Sequence, residues 1–306
     1  MPTAVLIVNY KSYGELGACL ASLAPYLSLD DEIVVVDYES DARALDAAIE
    51  VGRSAAGRSA TASRNAPAGP NVTTLRRADN LGFAAGVNMA AACTRAPYLL
   101  LLNPDTSVEG PVVRVLEDWM AGRPDVGVTG ARVMNADGSV QATARRFPDV
   151  TTAFGGRSTW LTSRFPGNWF SRRNLGARGA QAPVDVDWVS GACLMTRRDL
   201  FERVGGFDET FFMYWEDADY CYRLARAGYR CSYVPGVPGV SVRHTGGRSA
   251  AHDPALAIRA FHRSAFHLYR KHASPFGQLA APLVGAGLWL RGEWRLRQAL
   301  GRGRRG

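Results

Sequence analysis

The sequence predicts an α/β fold with a mixed, mainly parallel, Rossmann-like sheet flanked by helices, followed by a C-terminal helical extension. Short apolar runs alternate with helix-like segments through the first 105 residues, which is the pattern of a parallel sheet with crossover helices. The chain has 306 residues and 47% hydrophobic content, so it can bury a large core. Disorder is therefore not expected.

The apolar runs give the order of the elements. Strands are predicted at residues 4–8, 32–36, 72–75 and 98–102, and helices at 16–27, 41–50, 84–94 and 216–227. Residues 52–70 are rich in Ala, Ser, Gly and Arg, which indicates a surface insertion or flexible linker. The last of these helices is expected to end at Gly228, because glycine readily adopts the conformation of a helix C-terminus.

Polar residues follow the first two strands. Asn9 and Tyr10 end the first, and Asp37 ends the second. Ligands of open α/β sheets bind outside the carboxyl ends of the strands. Asp37 could accept a hydrogen bond from a pyrimidine imide, and Asn9 and Tyr10 could bond to or stack on the same ring. Ordinary turn residues are the alternative.

The fourth strand stops at Asn103-Pro104-Asp105. Asn103 and Asp105 can offer oxygen ligands to a hard divalent cation, although a lone aspartate here is usually a turn or cap residue. The loop Asn80-Leu81-Gly82-Phe83 precedes a helix, and its glycine permits close approach of either a ligand or a neighbouring strand. No GxGxxG motif follows the first strand, which argues against a dinucleotide oxidoreductase.

An acidic cluster, Trp215-Glu216-Asp217-Ala218-Asp219, follows the apolar residues 211–214. Carboxylates beside an apolar run are costly unless a cation, a hydrogen-bond donor or a proton-transfer role compensates. The cluster therefore indicates chemistry. The alternative is the acidic first turn of a helix, where carboxylates suit the dipole.

Five scattered cysteines without a CxxC pair indicate neither a zinc site nor a disulfide framework, and they favour a reducing compartment. No run of 18 apolar residues and no signal peptide is seen, so we expect a cytoplasmic protein.

The net charge of +8 comes from the C-terminus, where residues 243–306 contain twelve Arg or Lys and two acidic residues. An apolar stretch at 279–290, with Trp289 and Trp294, leads into six arginines, which predicts a helix lying on an anionic membrane surface. A helix capping the core with a solvated basic tail is the alternative. A nucleic-acid-binding tail is less favoured because no binding motif accompanies the arginines.

Six motifs, taken in order, resemble those of family 2 inverting glycosyltransferases over residues 4–248. They are Ile7-Val8-Asn9-Tyr10, Val35-Val36-Asp37, Asn80-Leu81-Gly82-Phe83, Asn103-Pro104-Asp105, Gly205-Gly206-Phe207-Asp208 and Trp215-Glu216-Asp217-Ala218-Asp219. Within the family the chain is most similar to bacterial rhamnosyltransferases. That narrower resemblance is carried by Asp137-Gly138-Ser139, Arg145-Arg146-Phe147-Pro148, Trp188-Val189-Ser190-Gly191-Ala192 and His262.

The resemblance implies a GT-A fold in residues 1–248, followed by a basic helical segment at 249–306. It implies that Asp37 reads the pyrimidine of a nucleotide sugar, with Asn9, Tyr10, Asn80, Gly82, Phe83 and Asn103 also on the donor. Asp105 and His244 are implied to bind Mg²⁺ or Mn²⁺ on the donor diphosphate. Asn103 departs from the family pattern, because many relatives have an aspartate there.

By the same resemblance Asp217 is the general base, with Glu216 and Asp219 beside it raising its proton affinity. The acceptor is expected to contact Trp188, Gly191, Trp215 and Glu216, with the tryptophans stacking on sugar faces or packing beneath the site. Residues 151–183 have no readable motif and are expected to shape the acceptor pocket.

The function that the resemblance implies is transfer of L-rhamnose from dTDP-β-L-rhamnose to a hydroxyl of a lipid-linked or cell-surface glycan. The enzyme is expected on the inner face of the bacterial cell membrane, with no nucleic-acid partner. The alternatives are another inverting transfer, from UDP-galactofuranose or UDP-glucose, and a non-catalytic nucleotide-sugar or glycan-binding protein.

Overall fold

The computed structural model describes residues 1–39, 41–59, 71–148, 176–237, 240–245 and 253–303. The strands are β1 Thr3–Tyr10, β2 Glu32–Tyr38, β3 Asn71–Arg77, β4 Tyr98–Leu102, β5 Thr106–Glu109, β6 Val126–Ala131, β7 Val133–Met134, β8 Ala144–Arg145, β9 Val184–Val186, β10 Trp188–Val189, β11 Cys193–Arg197, β12 Arg230–Val234 and β13 Ser241–His244. The helices are α1 Tyr13–Leu23, α2 Ala42–Ser59, α3 Phe83–Ala92, α4 Val112–Ala121, α5 Arg198–Arg203, α6 Glu216–Arg226, α7 Pro254–His272, α8 Pro275–Leu279 and α9 Ala281–Gly303. Short 3₁₀ turns lie at Ala24–Tyr26 and Gly176–Gly179.

Within these residues the main sheet has the strand order β3-β2-β1-β4-β11-β6-β12-β9. The first four strands are parallel, and β11 runs antiparallel to both β4 and β6. Because β11 is reversed, its beginning lies at the same edge as the carboxyl ends of β1, β2 and β4. Smaller sheets, β5-β13-β7 and β10-β8, complete the strand arrangement.

Alternating side chains of the central strands enter two hydrophobic layers. On β1, Val5 and Ile7 pack with α1, α2 and α4, whereas Leu6 and Val8 pack with α3, α5 and α6. Strands covered on both faces are buried throughout, which explains their nearly continuous apolar sequence. The predicted α/β architecture and the C-terminal helices are confirmed.

The prediction of a linker beginning at residue 52 was wrong for residues 52–59, which continue α2. The helix presents Leu45, Ala48 and Ile49 to the core at helical spacing. A Cβ at Gly52 would lie 2.7 Å from the Cβ of Leu20, so this glycine lets α2 and α1 approach closely. Residues 60–70 lie outside the described part of the chain.

Helix α7 packs against the turn before α6 and against α9. Ser264 Oγ donates to the carbonyl of Met213 at 3.0 Å. On another side of α7, Phe266 and His262 contact the positions of Gly285 and Gly292 in α9. Among the described residues, no helix combines the length and apolar character needed to cross a membrane.

Candidate active site

A cavity of about 350 Å³ opens at the carboxyl edge of β1 and β4. Its walls include the strand ends, the loop before α3, the segments 141–145 and 188–192, the start of α6 and the first turns of α7. Twelve of the fourteen candidate site residues named from the sequence line it, and nine of these are Tyr10, Asn80, Gly82, Phe83, Asn103, Asp105, Gly191, Asp217 and His244. Trp188, Trp215 and Glu216 also line it.

A strained turn delivers the acidic cluster to this cavity. Tyr214 and Trp215 both have left-handed backbone conformations, with φ of 69° and 70°. Such conformations are unfavourable for bulky residues and are often found at functional sites. The turn stops the preceding segment abruptly, so α6 begins with Glu216 and Asp217 at the cavity wall.

Asp217 is held by two backbone donors. Its Oδ2 accepts from the amide of Gly191 at 3.0 Å, and its Oδ1 accepts from the amide of Ala218 at 2.8 Å. Burial raises the pKa of Asp217, and the two amides and the charge of Arg145 oppose that increase without cancelling it. A carboxylate with a raised pKa is a better proton acceptor near neutral pH.

Glu216 is buried beside Asp217, and its Oε2 has no hydrogen-bond partner within the described residues. Burial first, and then the charge of Asp217, raises the pKa of Glu216 well above its ordinary range. Both carboxyls at the start of α6 therefore have raised pKa values, and burial is the main cause for each.

Asp219 has a different environment from the one the sequence indicated. It is fully buried away from the cavity, and it accepts from Arg223 at 2.8 Å, Lys271 at 2.8 Å and His272 at 2.7 Å. Burial alone would raise the pKa of Asp219, but these donors outweigh it and lower the pKa. Asp219 is thus a structural residue that joins α6 to α7, and the raised pKa of Asp217 comes mainly from burial.

Asp105 and His244 are brought together by strand pairing. Strand β13 runs antiparallel to β5, with His244 opposite Thr106, so Asp105 lies beside the imidazole. The Asp105 Oδ1 is 3.1 Å from His244 Nε2, and Asn103 Nδ2 is 3.2 Å from the same nitrogen. The segment after β4 and the end of β13 thereby form one polar group in the cavity wall.

The donor atoms of this group fit a divalent cation. A carboxylate oxygen and an imidazole nitrogen converge, and both can supply electron pairs to Mg²⁺ or Mn²⁺. Among the described residues, no group of three or more His, Cys, Asp or Glu side chains is placed so that it could hold a metal ion. A cation bound at Asp105 and His244 would therefore need further ligands, which diphosphate oxygens and water can supply.

Asn9 and Asp37 lie below the cavity rather than in its lining. Both are fully buried, and Asn9 Nδ2 donates to Asp37 Oδ1 at 2.6 Å. The hydroxyl of Tyr13 donates to Asp37 Oδ2 at 3.3 Å. Tyr10, which follows Asn9, does line the cavity. Asp37 thus lies at the predicted sheet edge, bonded to Asn9.

The loop before α3 is fitted tightly against the strained turn. Gly82 has φ of +93°, and a Cβ there would lie 2.2 Å from the carbonyl oxygen of Phe212. That same oxygen accepts from the amide of Phe83 at 2.7 Å. Asn80 Oδ1 accepts from the Gly82 amide at 3.0 Å, and Tyr38 donates to the Gly82 carbonyl at 3.0 Å. Only glycine, which has no Cβ, allows the two backbone segments to approach this closely.

Aromatic side chains form the wall near Asp217. The Trp188 ring lies 6.0 Å from that of Trp215, and the Trp215 ring lies 5.4 Å from that of Phe261. Trp188 is nearly buried and donates from Nε1 to the carbonyl of Arg146 at 3.0 Å. The guanidinium of Arg145 lies 5.3 Å from the Trp188 ring.

Several cavity residues were not identified as site residues from the sequence. Gln141 and Arg145 line the cavity, and so do Leu256, Ala257 and Phe261 of α7. Helix α7 was assigned to the segment 249–306, yet it supplies part of the cavity wall. The periodic apolar positions of α7 were visible in the sequence, but they do not reveal which surface they contact.

His262, one of the motif residues, lies on the side of α7 that faces α9. Its Nδ1 donates to the carbonyl of Ile258 at 2.7 Å. Residues 151–175, which belong to the expected acceptor region, lie outside the described part of the chain.

Comparison with known proteins agrees with this architecture. Residues 4–205 match the family described as "Glycosyl transferase family 2". The N-acetylglucosaminyl-diphospho-decaprenol L-rhamnosyltransferase of Mycobacterium tuberculosis is 33% identical over 251 residues, covering 77% of this chain and 79% of that protein. Rhamnosyltransferase WbbL of Escherichia coli is 45% identical over 64 residues, which are 21% of this chain and 24% of WbbL.

Two solved structures show the same fold. The mannosyltransferase PcManGT of Pyrobaculum calidifontis, in complex with GDP-Man and Mn²⁺, has a TM-score of 0.55 at 15% identity, over 98% of this chain and 73% of that one. GalNAc-T7 with UDP, GalNAc and Mn²⁺ also has a TM-score of 0.55, at 16% identity, over 80% of this chain and 44% of its own length. The predicted GT-A fold is confirmed, and the chain is a glycosyltransferase that belongs to glycosyl transferase family 2.

Proposed function

We propose that this glycosyltransferase moves L-rhamnose, with inversion, from dTDP-β-L-rhamnose to a hydroxyl of a lipid-linked or cell-surface glycan. The observation that carries the proposal is the meeting of three features in one cavity: the buried carboxylate of Asp217, the pair Asp105 and His244, and an aromatic wall. The similarity to a mycobacterial L-rhamnosyltransferase whose name specifies a diphospho-decaprenol acceptor supports both the sugar and the lipid-linked acceptor.

Asp217 is the general base in this proposal. Its carboxylate takes the proton of the acceptor hydroxyl as the hydroxyl oxygen bonds to the anomeric carbon. The hydroxyl oxygen attacks from the face opposite the diphosphate, the bond from the anomeric carbon to the diphosphate oxygen breaks, and its electron pair leaves with dTDP. Attack from that face inverts the configuration. The amides of Gly191 and Ala218 fix the carboxylate in the cavity wall. Burial keeps its proton affinity high enough for base catalysis, which typically contributes about 10²–10⁴-fold.

We place the donor diphosphate beside Asp105 and His244, which would hold Mg²⁺ or Mn²⁺. When bound, the cation neutralises charge that develops on the leaving diphosphate. Tyr10, Asn80, Gly82, Phe83 and Asn103 line the same cavity and supply the remaining donor contacts. Asn9 and Asp37 lie beneath the cavity and are hydrogen-bonded to each other. In this proposal that hydrogen bond rearranges so that both side chains can contact the pyrimidine.

On the acceptor side, we assign Trp188 and Trp215 to the sugar faces, with Gly191 and Glu216 beside them. An aromatic ring offers a flat apolar surface for stacking, and these two rings lie 6.0 Å apart in the cavity wall. Burial raises the pKa of Glu216, and in its protonated form the carboxyl can donate a hydrogen bond to the acceptor.

We further propose that the enzyme works at the inner face of the cell membrane and docks there through residues 276–303, within the segment 249–306. Seven large apolar side chains of this region are solvent-exposed: Phe276, Leu279, Leu283, Trp289, Leu290, Trp294 and Leu300. The opposite face of α9 packs on α7, where Gly285 and Gly292 meet Phe266 and His262. An outward apolar stripe with arginines at its end matches an anionic lipid surface.

Substitutions on the exposed stripe test this docking without disturbing the packed face. Leu283 and Leu290 are 78% and 61% exposed, so changing both to Glu should abolish cosedimentation with phosphatidylglycerol-containing vesicles. Leu29, which is 63% exposed and outside this segment, provides the matched control Leu29→Glu. Equal vesicle binding by the double variant and the wild type would contradict membrane docking.

The donor is tested by thermal stabilisation of the purified protein with a panel of nucleotide sugars and Mg²⁺, Mn²⁺ or EDTA. A ligand that binds the folded state raises the melting temperature. We expect dTDP-rhamnose with a divalent cation to stabilise more than dTDP alone. A preference for UDP-galactofuranose or UDP-glucose would replace the rhamnose assignment but keep the transferase. No turnover of any bound donor would favour a binding protein without catalysis.

A further inference from the structure

We infer that Gln141 is a positioning residue that fixes the tautomer of His244, so that the Nε2 lone pair of the imidazole faces Asp105. The inference rests on the proposed cation site at Asp105 and His244. Two hydrogen bonds carry it. Gln141 Nε2 is 3.1 Å from the backbone carbonyl of His244, and Gln141 Oε1 is 3.0 Å from His244 Nδ1.

These two contacts allow one arrangement of protons. The backbone carbonyl of His244 can only accept a hydrogen bond, so the amide nitrogen of Gln141 must face it. The amide oxygen of Gln141 then faces Nδ1, and an oxygen of this kind also only accepts. Nδ1 of His244 therefore carries the proton, and in the neutral ring Nε2 carries the lone pair.

Asn103 supports the same tautomer from the other side. Its Nδ2, a donor, lies 3.2 Å from His244 Nε2, which must then accept. Asp105 Oδ1 lies 3.1 Å from the same nitrogen, so in this tautomer a lone pair faces a carboxylate, an arrangement that a bound cation would stabilise. The amides of Gln141 and Asn103 thus contact the two ring nitrogens.

The backbone around Gln141 explains how the side chain reaches His244. Asp137-Gly138-Ser139 forms a tight turn in which Ser139 N and Oγ both bond to Asp137 Oδ1, at 2.9 and 2.6 Å. After the turn, the amide of Gln141 donates to the carbonyl of Val133 at 2.8 Å. Since Val133 pairs with Val242 in the β7–β13 ladder, Gln141 is held alongside the end of β13. The turn motif found in the sequence therefore serves to present Gln141.

The test uses the full-length protein and two readouts that do not depend on turnover. The first is the tautomer of His244, measured from the imidazole ¹⁵N resonances of the metal-free protein and assigned with the variant His244→Gln. The second is the affinity for Mn²⁺ alone, measured by electron paramagnetic resonance. We expect the Nδ1-protonated tautomer in the wild type and its loss in Gln141→Leu, with Mn²⁺ affinity reduced about 10–100-fold.

Gln141→Glu separates the acceptor role from packing. Its carboxylate still accepts from Nδ1 but no longer donates to the His244 carbonyl, so the tautomer should persist and the Mn²⁺ affinity should fall clearly less than in Gln141→Leu. Gln181→Leu is the matched control, because Gln181 bonds to Arg132 away from this group, and it should change neither readout. Circular dichroism checks folding, and Gln141→Met replaces the leucine variant if that variant does not fold.

Three results would overturn the inference: an unchanged tautomer in Gln141→Leu, an equal loss of Mn²⁺ affinity in Gln141→Glu, or a wild type that binds no Mn²⁺. None of these results tests which sugar the enzyme transfers. A failure of the rhamnose assignment would appear only in the donor panel and would leave the tautomer and Mn²⁺ readouts as expected.

Discussion

Replacing Asp217 by Asn should nearly abolish turnover while leaving the fold intact. The change removes the proposed base, so we expect the release of dTDP from dTDP-rhamnose in the presence of an acceptor analogue to slow by about 10²–10⁴-fold. A residue that serves only the fold would behave differently, because its replacement would lower stability and activity together. Melting temperature and turnover must therefore be measured on the same samples.

The stability effect can be worked out from the contacts of Asp217. An Asn keeps one oxygen acceptor for the Gly191 and Ala218 amides and loses the other, which costs about 1 kcal/mol. The opposing effect comes from the raised pKa of Asp217, since each unit of increase destabilises the folded, ionised form by about 1.4 kcal/mol. The two effects oppose each other. The lost hydrogen bond alone would lower the melting temperature by about 2–4 °C, so a larger fall would contradict this reasoning.

The pH dependence has a definite sign. Because the pKa of Asp217 is higher in the folded than in the unfolded protein, the wild type loses stability as the pH rises from the ordinary carboxyl range through the folded pKa. The Asp217→Asn variant lacks this loss, so its relative stability should improve as the pH rises. Asp118→Asn, at an exposed aspartate of α4, is the control. Residual activity above about a tenth of the wild type would refute the base assignment.

Three further outcomes are expected. Asp105→Asn should remove the extra thermal stabilisation that Mn²⁺ adds to a nucleotide sugar, and an undiminished metal effect would contradict the cation site. Gly82→Ala should lower the melting temperature, because the new Cβ would collide with the carbonyl oxygen of Phe212 and because the backbone of residue 82, at φ of +93°, costs a non-glycine residue about 1–3 kcal/mol. An unchanged melting temperature would contradict this close fit. Lys271→Met should destabilise the protein, since it removes one cation from the buried Asp219. Acid unfolding of that variant should begin at higher pH, because the lowered pKa of Asp219 supplies stability that is lost as the pH falls.

The strands and their polar ends could be predicted because the residues that determine them are adjacent in sequence. Tyr98–Leu102 is a run of five buried residues, and the Asn-Pro-Asp that follows cannot continue a strand in the core. The reversal of β11 between β4 and β6 has no comparable local signal, because strand direction depends on pairing partners distant in sequence. The position of Gly191 against Asp217 could not be derived for that reason.

The misassigned role of Asp219 and the omission of Gln141 share one physical origin, which is long-range pairing of polar groups. The sequence alone indicates that Asp219 is a catalytic neighbour of Asp217. The structure shows that Lys271 and His272, about fifty residues later, contact Asp219 and neutralise its charge. Arg223, four residues after Asp219 on the same helix face, was the local signal that could have indicated an ion pair. Gln141 carried no such signal, because its partner His244 is 103 residues away.

The contacts of Asp219 with Lys271 and His272 also bear on when a newly made chain can become active. Synthesis proceeds from the N-terminus, and domains generally fold as their segments emerge. When α6 has left the ribosome, the cations of α7 that neutralise Asp219 have not yet been translated. The helix that begins with Asp217 thus gains its full set of buried ion pairs only after Lys271 and His272 have been made. The first four strands of the sheet can form earlier, whereas α6 is joined to α7 only at that later stage.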